Sequence, residues 1–442
     1  MRKVERAPTF QEIFESKSHK GPYSREDVEL ARDFNKRYLH WDELKFKTDD
    51  EEHRRKIWAL MKILRAQDYR AVTIGKEKYL YSVMPQFMES LHFIDTHAAG
   101  YTTVEGEPIG QKEANRYVIS SLMEEAISSS QLEGAAVTRL DAKKMLREGR
   151  KPKTRDEAMI LNNYRTMEHI KTVSNEKLTP DLIRSMHKMI TDGTLDPDRE
   201  WEGRYRESDD VVVGDPLDED NVYHVPPPYD EIPALVEGLC EFANRNEGEF
   251  IHPILKGIVI HFMIGYIHPF VDGNGRLARS LFYWHSIKNG YWIMEYAAVS
   301  KAIKARRKKY TYSYIYSEND ENDLTYFIKY NLESVQKALV DLNAYIKRKL
   351  REQKSSYRFI EAHPDLNHRQ ATILRDYVKG GVPFSIPELK NRYKIAYQTA
   401  RLDVRRLQEL GLVRAVYKKG KRVSYAVNKD ALVGENGNAR LF

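Results

Sequence analysis

Apolar residues recur at three- and four-residue spacing through most of this chain, and that spacing restricts it to a fold of packed helices. Residues 55–67, 113–131, 156–173 and 254–267 all carry it. TPDLIRSMHKMI (179–190) adds a start signal, with Thr179 as N-cap and Pro180 at the first helical position. PPPYDEIPALVEGLCEFANR (226–245) enters a helix through prolines, and residues 323–350 predict a long helix ending in a basic stretch. One region departs from the pattern. DDVVVGDPLDEDNVYHVPPP (209–228) holds two short β-branched runs around an acidic, turn-rich loop, which predicts a β-hairpin.

At 442 residues the chain is too long for one ordinary core, so two or three domains are expected. Cys240 is its single cysteine, which excludes an intramolecular disulfide and argues for a reducing compartment. The N-terminal stretch MRKVERAPTFQEIF lacks the apolar core of a secretory signal. The longest apolar run contains His261 and falls well short of the roughly twenty residues that span a bilayer. A cytoplasmic protein without a membrane partner is expected.

The net charge of +7 is unevenly placed. Residues 363–442 carry 16 Lys/Arg against 7 Asp/Glu, about +9, so the preceding residues are near −2. A separate basic C-terminal unit points to an acidic partner. There NHRQATILRDYVK, SIPELKNRY and AYQTARLDVRRLQELGL predict three short helices, the second with a capping box from Ser385 and Glu388. VRAVYKKGKRVSYAV predicts two strands around a KKGK turn. Three helices and a basic hairpin make the pattern of a winged helix-turn-helix. DNA is the candidate partner: Gln398, Thr399, Arg401 and Arg405 would face a groove, and Lys418, Lys419 and Lys421 would reach phosphates. Such units also serve as protein-interaction modules.

The densest chemistry lies in HPFVDGNGRLAR (268–279), directly after the apolar run GIVIHFMIGYI. Pro269 ends the buried helix, and RLARSLFYWHSI resumes helical spacing after the glycines. The loop therefore feeds a helix N-terminus, where free N–H groups and the dipole favour an anion. Gly273 and Gly275 permit close backbone approach, Asn274 adds side-chain donors, and Arg276 and Arg279 lie three apart on the first turn. Two arginines, a carboxylate and a histidine suit a polyphosphate with a divalent metal better than a lone anion. Asp272 is the natural Mg²⁺ ligand, and His268 titrates near enough to neutrality to accept a proton from a hydroxyl. His252, His261 and His268 could suggest a metal cluster, but His261 inside an apolar run reads as a core histidine. KAIKARRKKYTYSYIY (301–316) mixes basic and aromatic residues and could bind nucleic acid, with a solvated basic helix face as its default reading.

HPFVDGNGRLAR agrees at every specified position with the motif HPFx[D/E]GNGRxxR, so the chain resembles the Fic family, mostly AMP-transferring enzymes. The resemblance implies an all-helical core with a β-hairpin flap, and ATP and Mg²⁺ as cofactors. It implies His268 as general base and Asp272 as Mg²⁺ ligand. Asn274 and Arg276 become α/β-phosphate contacts and Arg279 the terminal-phosphate contact, with Gly273 and Gly275 as further nucleotide-binding candidates. Doc-type relatives that phosphorylate have an altered GNGR segment; this chain keeps it, which favours nucleotidyl transfer. SSSQLEG supplies Ser129, Glu133 and Gly134, resembling the inhibitory signature [S/T]xxxE[G/N]. The resemblance implies that Glu133 pairs with Arg279 and occupies donors that a γ-phosphate needs. Hairpin residues Val211, Val212, Val213, Tyr223, His224 and Val225 correspond to a flap whose edge could align a target segment. The region 301–316 corresponds to one that helps shape the nucleotide pocket.

The expected fold is mainly α: a Fic-type helical core with a β-hairpin flap, plus a C-terminal winged helix-turn-helix of α+β type. The expected domains are a helical N-terminal extension (1–90), a Fic domain (91–350) with inhibitory helix (113–134) and flap (209–228), and a winged helix domain (351–442). The expected function is an autoinhibited protein adenylyltransferase in a bacterial cytoplasm. It would move AMP from Mg-ATP to a Ser, Thr or Tyr hydroxyl of a target protein or of itself, releasing pyrophosphate. Two alternatives stay open: a DNA-binding transcriptional regulator that uses the fold as a nucleotide sensor, and an enzyme that removes AMP through water positioned by Glu133. An intact His268 argues against the first. A homodimer also stays open.

Overall fold

The computed structural model describes the chain except residues 1, 17–21, 100–101, 105–106, 110, 196–198, 216–217, 246, 363–365, 379–382, 420–421 and 429–442. It divides into two compact units, residues 1–344 and 345–442.

In the first unit α1 (Phe10–Glu15), α2 (Arg25–Arg37), α3 (Trp41–Leu44) and α4 (Glu51–Ala66) lead to a hairpin of β1 (Tyr69–Ile74) and β2 (Glu77–Ser82). Then come α5 (Pro85–Ala98), a short hairpin of β3 (Thr102–Val104) and β4 (Glu107–Ile109), α6 (Gln111–Leu132), α7 (Arg139–Glu148), α8 (Arg155–Val173) and α9 (Pro180–Thr191). A third hairpin, β5 (Val213–Asp215) and β6 (Asp218–His224), precedes α10 (Ile232–Asn244), α11 (Pro253–Ile267), α12 (Asn274–Lys288), α13 (Val299–Ala305), α14 (Arg307–Asn319) and α15 (Thr325–Ala362), which starts in the first unit and runs past residue 344 into the second. The chain is thus mainly helical. Polar caps start several helices: Ser24 and Asp27 form a capping box on α2, and Thr154 and Thr179 accept from the first turns of α8 and α9.

The N-terminal ninety residues are more than a helical extension. Val72, Ile74, Tyr79 and Tyr81 are buried in the β1–β2 hairpin, and alternation of period two outweighs helical spacing there. Its two-residue turn begins at Gly75 with φ +60°, as a tight hairpin requires. The segment is also built into the rest of its unit: Lys62 Nζ donates to Asp320 Oδ1 at 2.7 Å, Tyr38 Oη to Asp323 Oδ2 at 2.7 Å, and Leu324 N to the Leu80 carbonyl at 2.7 Å.

Helix α11 is buried almost all round, which marks it as a central helix. It packs against α12, itself buried along most of its length. The loop between them carries the motif. The third hairpin lies inside the expected flap, but its pairing begins at Val213, so Val211 and Val212 precede the strand. Its register is irregular at Val213/Gly214 and Gly214/Asp215.

The second unit holds α16 (His368–Val378), β7 (Phe384–Ser385), α17 (Ile386–Tyr393), α18 (Tyr397–Glu409), β8 (Val413–Lys419) and β9 (Arg422–Val427). The strands form an antiparallel sheet in the order β7-β9-β8. Leu374, Phe384, Leu389, Val404 and Leu407 sit in its core. The expected capping box at Ser385 is absent: its side chain makes no cap hydrogen bond. Ser385 instead pairs with Ser424 in the sheet, and Glu388 accepts from Tyr377 Oη at 2.8 Å.

Candidate active site

The catalytic-looking loop is set by two unusual backbone positions. His268 caps α11 in the left-handed region, φ +47°, with its N–H on the Ile264 carbonyl. Gly273 caps α12 at φ +86°, and a Cβ there would lie 2.8 Å from Thr191 Cγ2 and 3.1 Å from His187 Nε2. Only glycine fits.

Asn274 braces the loop, its amide oxygen accepting from Phe270 N at 3.1 Å and its amide nitrogen donating to the Phe270 carbonyl at 2.7 Å. The side chain expected to face phosphate is thus largely committed to the loop. His187 supports the same turn. It stacks on Phe270 at 3.7 Å, donates from Nε2 to the Asp272 carbonyl at 2.7 Å and accepts from Gly203 N at 3.0 Å. Burial pushes its imidazole down to about 4.

His268 points Nδ1 at the Gly265 carbonyl, 3.3 Å away. A carbonyl only accepts, so the proton sits on Nδ1 and Nε2 keeps its lone pair. Burial, the largest influence, lowers this imidazole to about 4, so it is neutral at pH 7. It lines a cavity of about 200 Å³ with Glu133, Asn274, Gly275 and Arg279.

Arg279 is buried and held through its Nε and Nη2 by the end of α6 and the residue after it. Its Nε donates to Ser129 Oγ at 2.9 Å, and its Nη2 to the Ser129 carbonyl at 3.1 Å and to Glu133 Oε1 at 2.8 Å. Burial raises the Glu133 carboxyl, but Arg279, with help from Arg276 and Arg307, overrides it and leaves the group below the ordinary range. The Glu133 carboxylate lies against Gly275, leaving no room for a Cβ there. Gly134 follows at φ +95°, the left-handed residue that ends the turn.

Arg276 is buried. It donates from Nη1 to the Ile190 carbonyl at 3.2 Å, and its Nε has no partner among the described residues. Asp272 is 41% exposed in its side chain, 3.5 Å from Arg276 Nη2 and 3.7 Å from Arg155 Nη2. Among the described residues no group of three or more His, Cys, Asp or Glu could hold a metal. A single open carboxylate fits Mg²⁺ that shares phosphate oxygens and waters with a nucleotide, not a resident ion held by protein alone. The three histidines do not converge: His252 meets Asp95, and His261 meets Tyr310 Oη at 2.8 Å.

Val213, Tyr223 and His224 of the third hairpin line the cavity, while Val212 and Val225 are exposed and Val211 is half-buried. The opposite wall is α14, through Arg307, Tyr310, Thr311, Tyr314, Ile315 and Glu318. The basic-aromatic composition of 301–316 and the family resemblance both pointed to it. His187 and Arg155 carry no local sequence signal. In the second unit Gln398, Arg401 and Arg405 are exposed on α18, Thr399 is half-buried, and Arg405 pairs with Glu409 at 3.1 Å. Lys418 and Lys419 lie on β8, and Lys421 lies outside the described residues.

Residues 177–286 match the family model described as Fic/DOC family. Over 182 residues the chain is 25% identical to the protein adenylyltransferase Fic of Drosophila grimshawi, covering 41% of this chain and 34% of the relative. Over 107 residues it is 35% identical to that of Nematostella vectensis, covering 24% and 22%. The chain thus spans about a third or less of the length of these curated relatives. In fold it is similar to Fic-1 (residues 134–508) from C. elegans, with TM-score 0.51, 16% identity and coverage of 74% and 86%. A Fic family protein from Desulfovibrio desulfuricans G20 gives TM-score 0.50, 19% identity and coverage of 79% and 97%.

Proposed function

We propose that this chain, whose residues 177–286 form a Fic/DOC domain, is a protein adenylyltransferase held in check by Glu133. A Ser, Thr or Tyr hydroxyl of a target protein, or of the chain itself, attacks the α-phosphorus of ATP. Its proton passes to His268 Nε2, the bond to the β-phosphate oxygen breaks, and pyrophosphate leaves. A base that is neutral at pH 7, with its free nitrogen in the arginine-lined cavity, supports that role. The N-terminus of α12 and the Arg276 guanidinium, with its unpartnered Nε, would take the phosphates. Asp272 would hold Mg²⁺ carried by the nucleotide, and that ion, when bound, neutralises phosphate charge. We place the reaction in the cytoplasm.

The observation that carries the reading is the Glu133–Arg279 pair at 2.8 Å. It commits the arginine to a carboxylate of the chain itself and leaves a cavity of about 200 Å³, below the roughly 300–1,000 Å³ of ordinary ligand pockets. Withdrawing Glu133 would uncover a buried cation with space beside it. The test is label transfer from α-³²P-ATP with Mg²⁺ by wild type, Glu133→Gly, and Glu133→Gly with His268→Ala. Label on protein should rise in the single variant and vanish in the double. No transfer by any variant that is folded and binds Mg-ATP refutes the reading.

A second reading concerns residues 345–442, which we take as a winged helix that binds DNA through α18. Exposed Gln398 and Arg401 and the basic balance of residues 363–442 support it. DNA affinity of the full chain should fall steeply with salt, and Arg401→Ala should weaken it. An affinity indifferent to salt counts against groove binding.

A further inference from the structure

The C-terminus of a helix leaves its last carbonyls without partners, and α11 ends at the histidine that matters most. Three carbonyls of that turn are taken by two residues outside it. His224 Nε2 donates to the Tyr266 carbonyl at 2.7 Å, Arg206 Nε to the His268 carbonyl at 3.1 Å, and Arg206 N to the Pro269 carbonyl at 2.9 Å. Both residues belong to the hairpin or its root.

Arg206 also grips the hairpin from both ends. Its Nη1 donates to the Ser208 carbonyl and to Asp209 Oδ1, each at 2.8 Å, and its Nη2 to the Pro227 carbonyl. Asp209 Oδ1 in turn accepts from Tyr229 N at 2.8 Å. The side chain is 1% exposed, and its planar fork spans all of these acceptors at once. His224 sits on the inner strand with Nδ1 facing Glu318 Oε2 at 2.6 Å, so it ties β6 to both α11 and α14. Among the described residues the remainder of the hairpin has irregular pairing and exposed valines at Val212, Val222 and Val225. Its seat is fastened by polar groups more than by a core.

His268 needs such support. A non-glycine residue in the left-handed region is strained by roughly 1–2 kcal/mol and persists only where its surroundings over-determine it.

We infer that Arg206 and His224 are positioning residues that make the flap the C-terminal cap of the helix bearing His268, so that seating or lifting the flap reorients the imidazole. A target strand laid along the flap edge is then felt at the base before any hydroxyl reaches it. The link to catalysis rests on the adenylyl-transfer reading; the mechanical coupling does not.

The test uses the full chain with Arg206→Lys, His224→Leu and His224→Gln, following amide hydrogen exchange and the His268 ring by NMR. Arg206→Lys keeps the charge and loses the fork. It should accelerate exchange at least tenfold in both 208–229 and 266–270, and move the imidazole titration up from about 4 toward the ordinary 6.5. His224→Leu should do the same more weakly, with recovery in His224→Gln, whose amide can still donate to Tyr266. Acceleration confined to 208–229, with 266–270 and the imidazole unmoved, would overturn the inference. Should Arg206→Lys fail to fold, the two His224 variants decide alone. In the Glu133→Gly background Arg206→Lys should lower transfer at least tenfold while ATP affinity is unchanged. If that parent transfers no label, the chemistry fails, and the exchange result still stands or falls by itself.

Discussion

Two buried charge clusters in the first unit look alike in composition and differ in what they leave unsatisfied. In the first, Asp320 accepts from Lys62 at 2.7 Å and Tyr326 Oη at 2.8 Å, and Asp323 from Tyr38 at 2.7 Å and Tyr69 at 2.9 Å. All of these acids and cations are almost wholly buried. In the second, one carboxylate oxygen of Glu133 meets Arg279, the side chain is 29% exposed, a cavity lies beside it, and Arg276 Nε goes unpartnered. A network whose carboxylates are each met by two internal donors holds elements together. An unsaturated one beside a cavity can exchange its internal carboxylate for a ligand.

Removing one member of each cluster breaks the comparison most sharply. Asp320→Ala strips Arg65 of its carboxylate partner and leaves Lys62 only the longer 3.5 Å contact with Glu321, and should cost about 3–5 kcal/mol in urea unfolding. Glu133→Gly should cost less than half of that, because Arg279 keeps both bonds to Ser129. Equal losses would mean that Glu133 is as structural as Asp320.

Acid sharpens it next. Burial pushes His187 down to about 4, and His40, in contact with the first cluster, to about 3. Below pH 6.5 the unfolded imidazole binds a proton that the folded one refuses, so stability rises with pH there. It is present in full above 6.5 and lost as pH falls toward 4 or 3. For His187 the total is on the order of 3 kcal/mol. His187→Gln should flatten the stability profile between pH 6.5 and 4 and leave it unchanged above 7. An unchanged slope would show that His187 titrates normally. The Glu133 carboxyl works in the opposite sense to a strained acid: its depressed titration adds stability above the ordinary carboxylate range that is lost at lower pH.

Occupancy of the second cluster gives a smaller but more specific effect. Glu133→Gly should tighten ATP by about tenfold to a hundredfold, roughly 1.4–2.7 kcal/mol, in calorimetric titration. Asp320→Ala should leave the affinity of the folded fraction unchanged. No gain in Glu133→Gly would mean that the carboxylate does not compete with the nucleotide.

Of the two clusters only the second was legible in the sequence, for a physical reason. HPFVDGNGRLAR packs a helix end, a glycine-lined turn and a helix start into twelve positions, and SSSQLEG marks the end of α6, so local spacing reports both. What failed depends on distance along the chain. Arg206 acts 62 residues from His268, and His187 acts 85 residues from Asp272. Neither stands in a pattern. The β1–β2 hairpin was missed because its alternation is short, and the flap was read two residues early because Val211 and Val212 are β-branched without being paired. Asn274 shows a further limit: spacing places an amide beside an anion site but does not tell that Phe270 already uses it.

The finest test sits on Arg276, which shares features of both clusters. It is wholly buried like Lys62, yet its Nε donor is unmet and it contacts Asp272 only at 3.5 Å. If the unmet donor is reserved for phosphate, a lysine at this position keeps charge and loses the fork that addresses two oxygens together. In the Glu133→Gly background, Arg276→Lys should therefore weaken ATP about tenfold, near 1.4 kcal/mol. Its melting temperature should fall less than that of Asp320→Ala, since the fold loses at most the 3.2 Å bond to the Ile190 carbonyl and the long 3.5 Å contact with Asp272. Unchanged affinity with a large loss of stability would move Arg276 into the saturated class. It would also leave α12's backbone N–H groups as the principal phosphate donors.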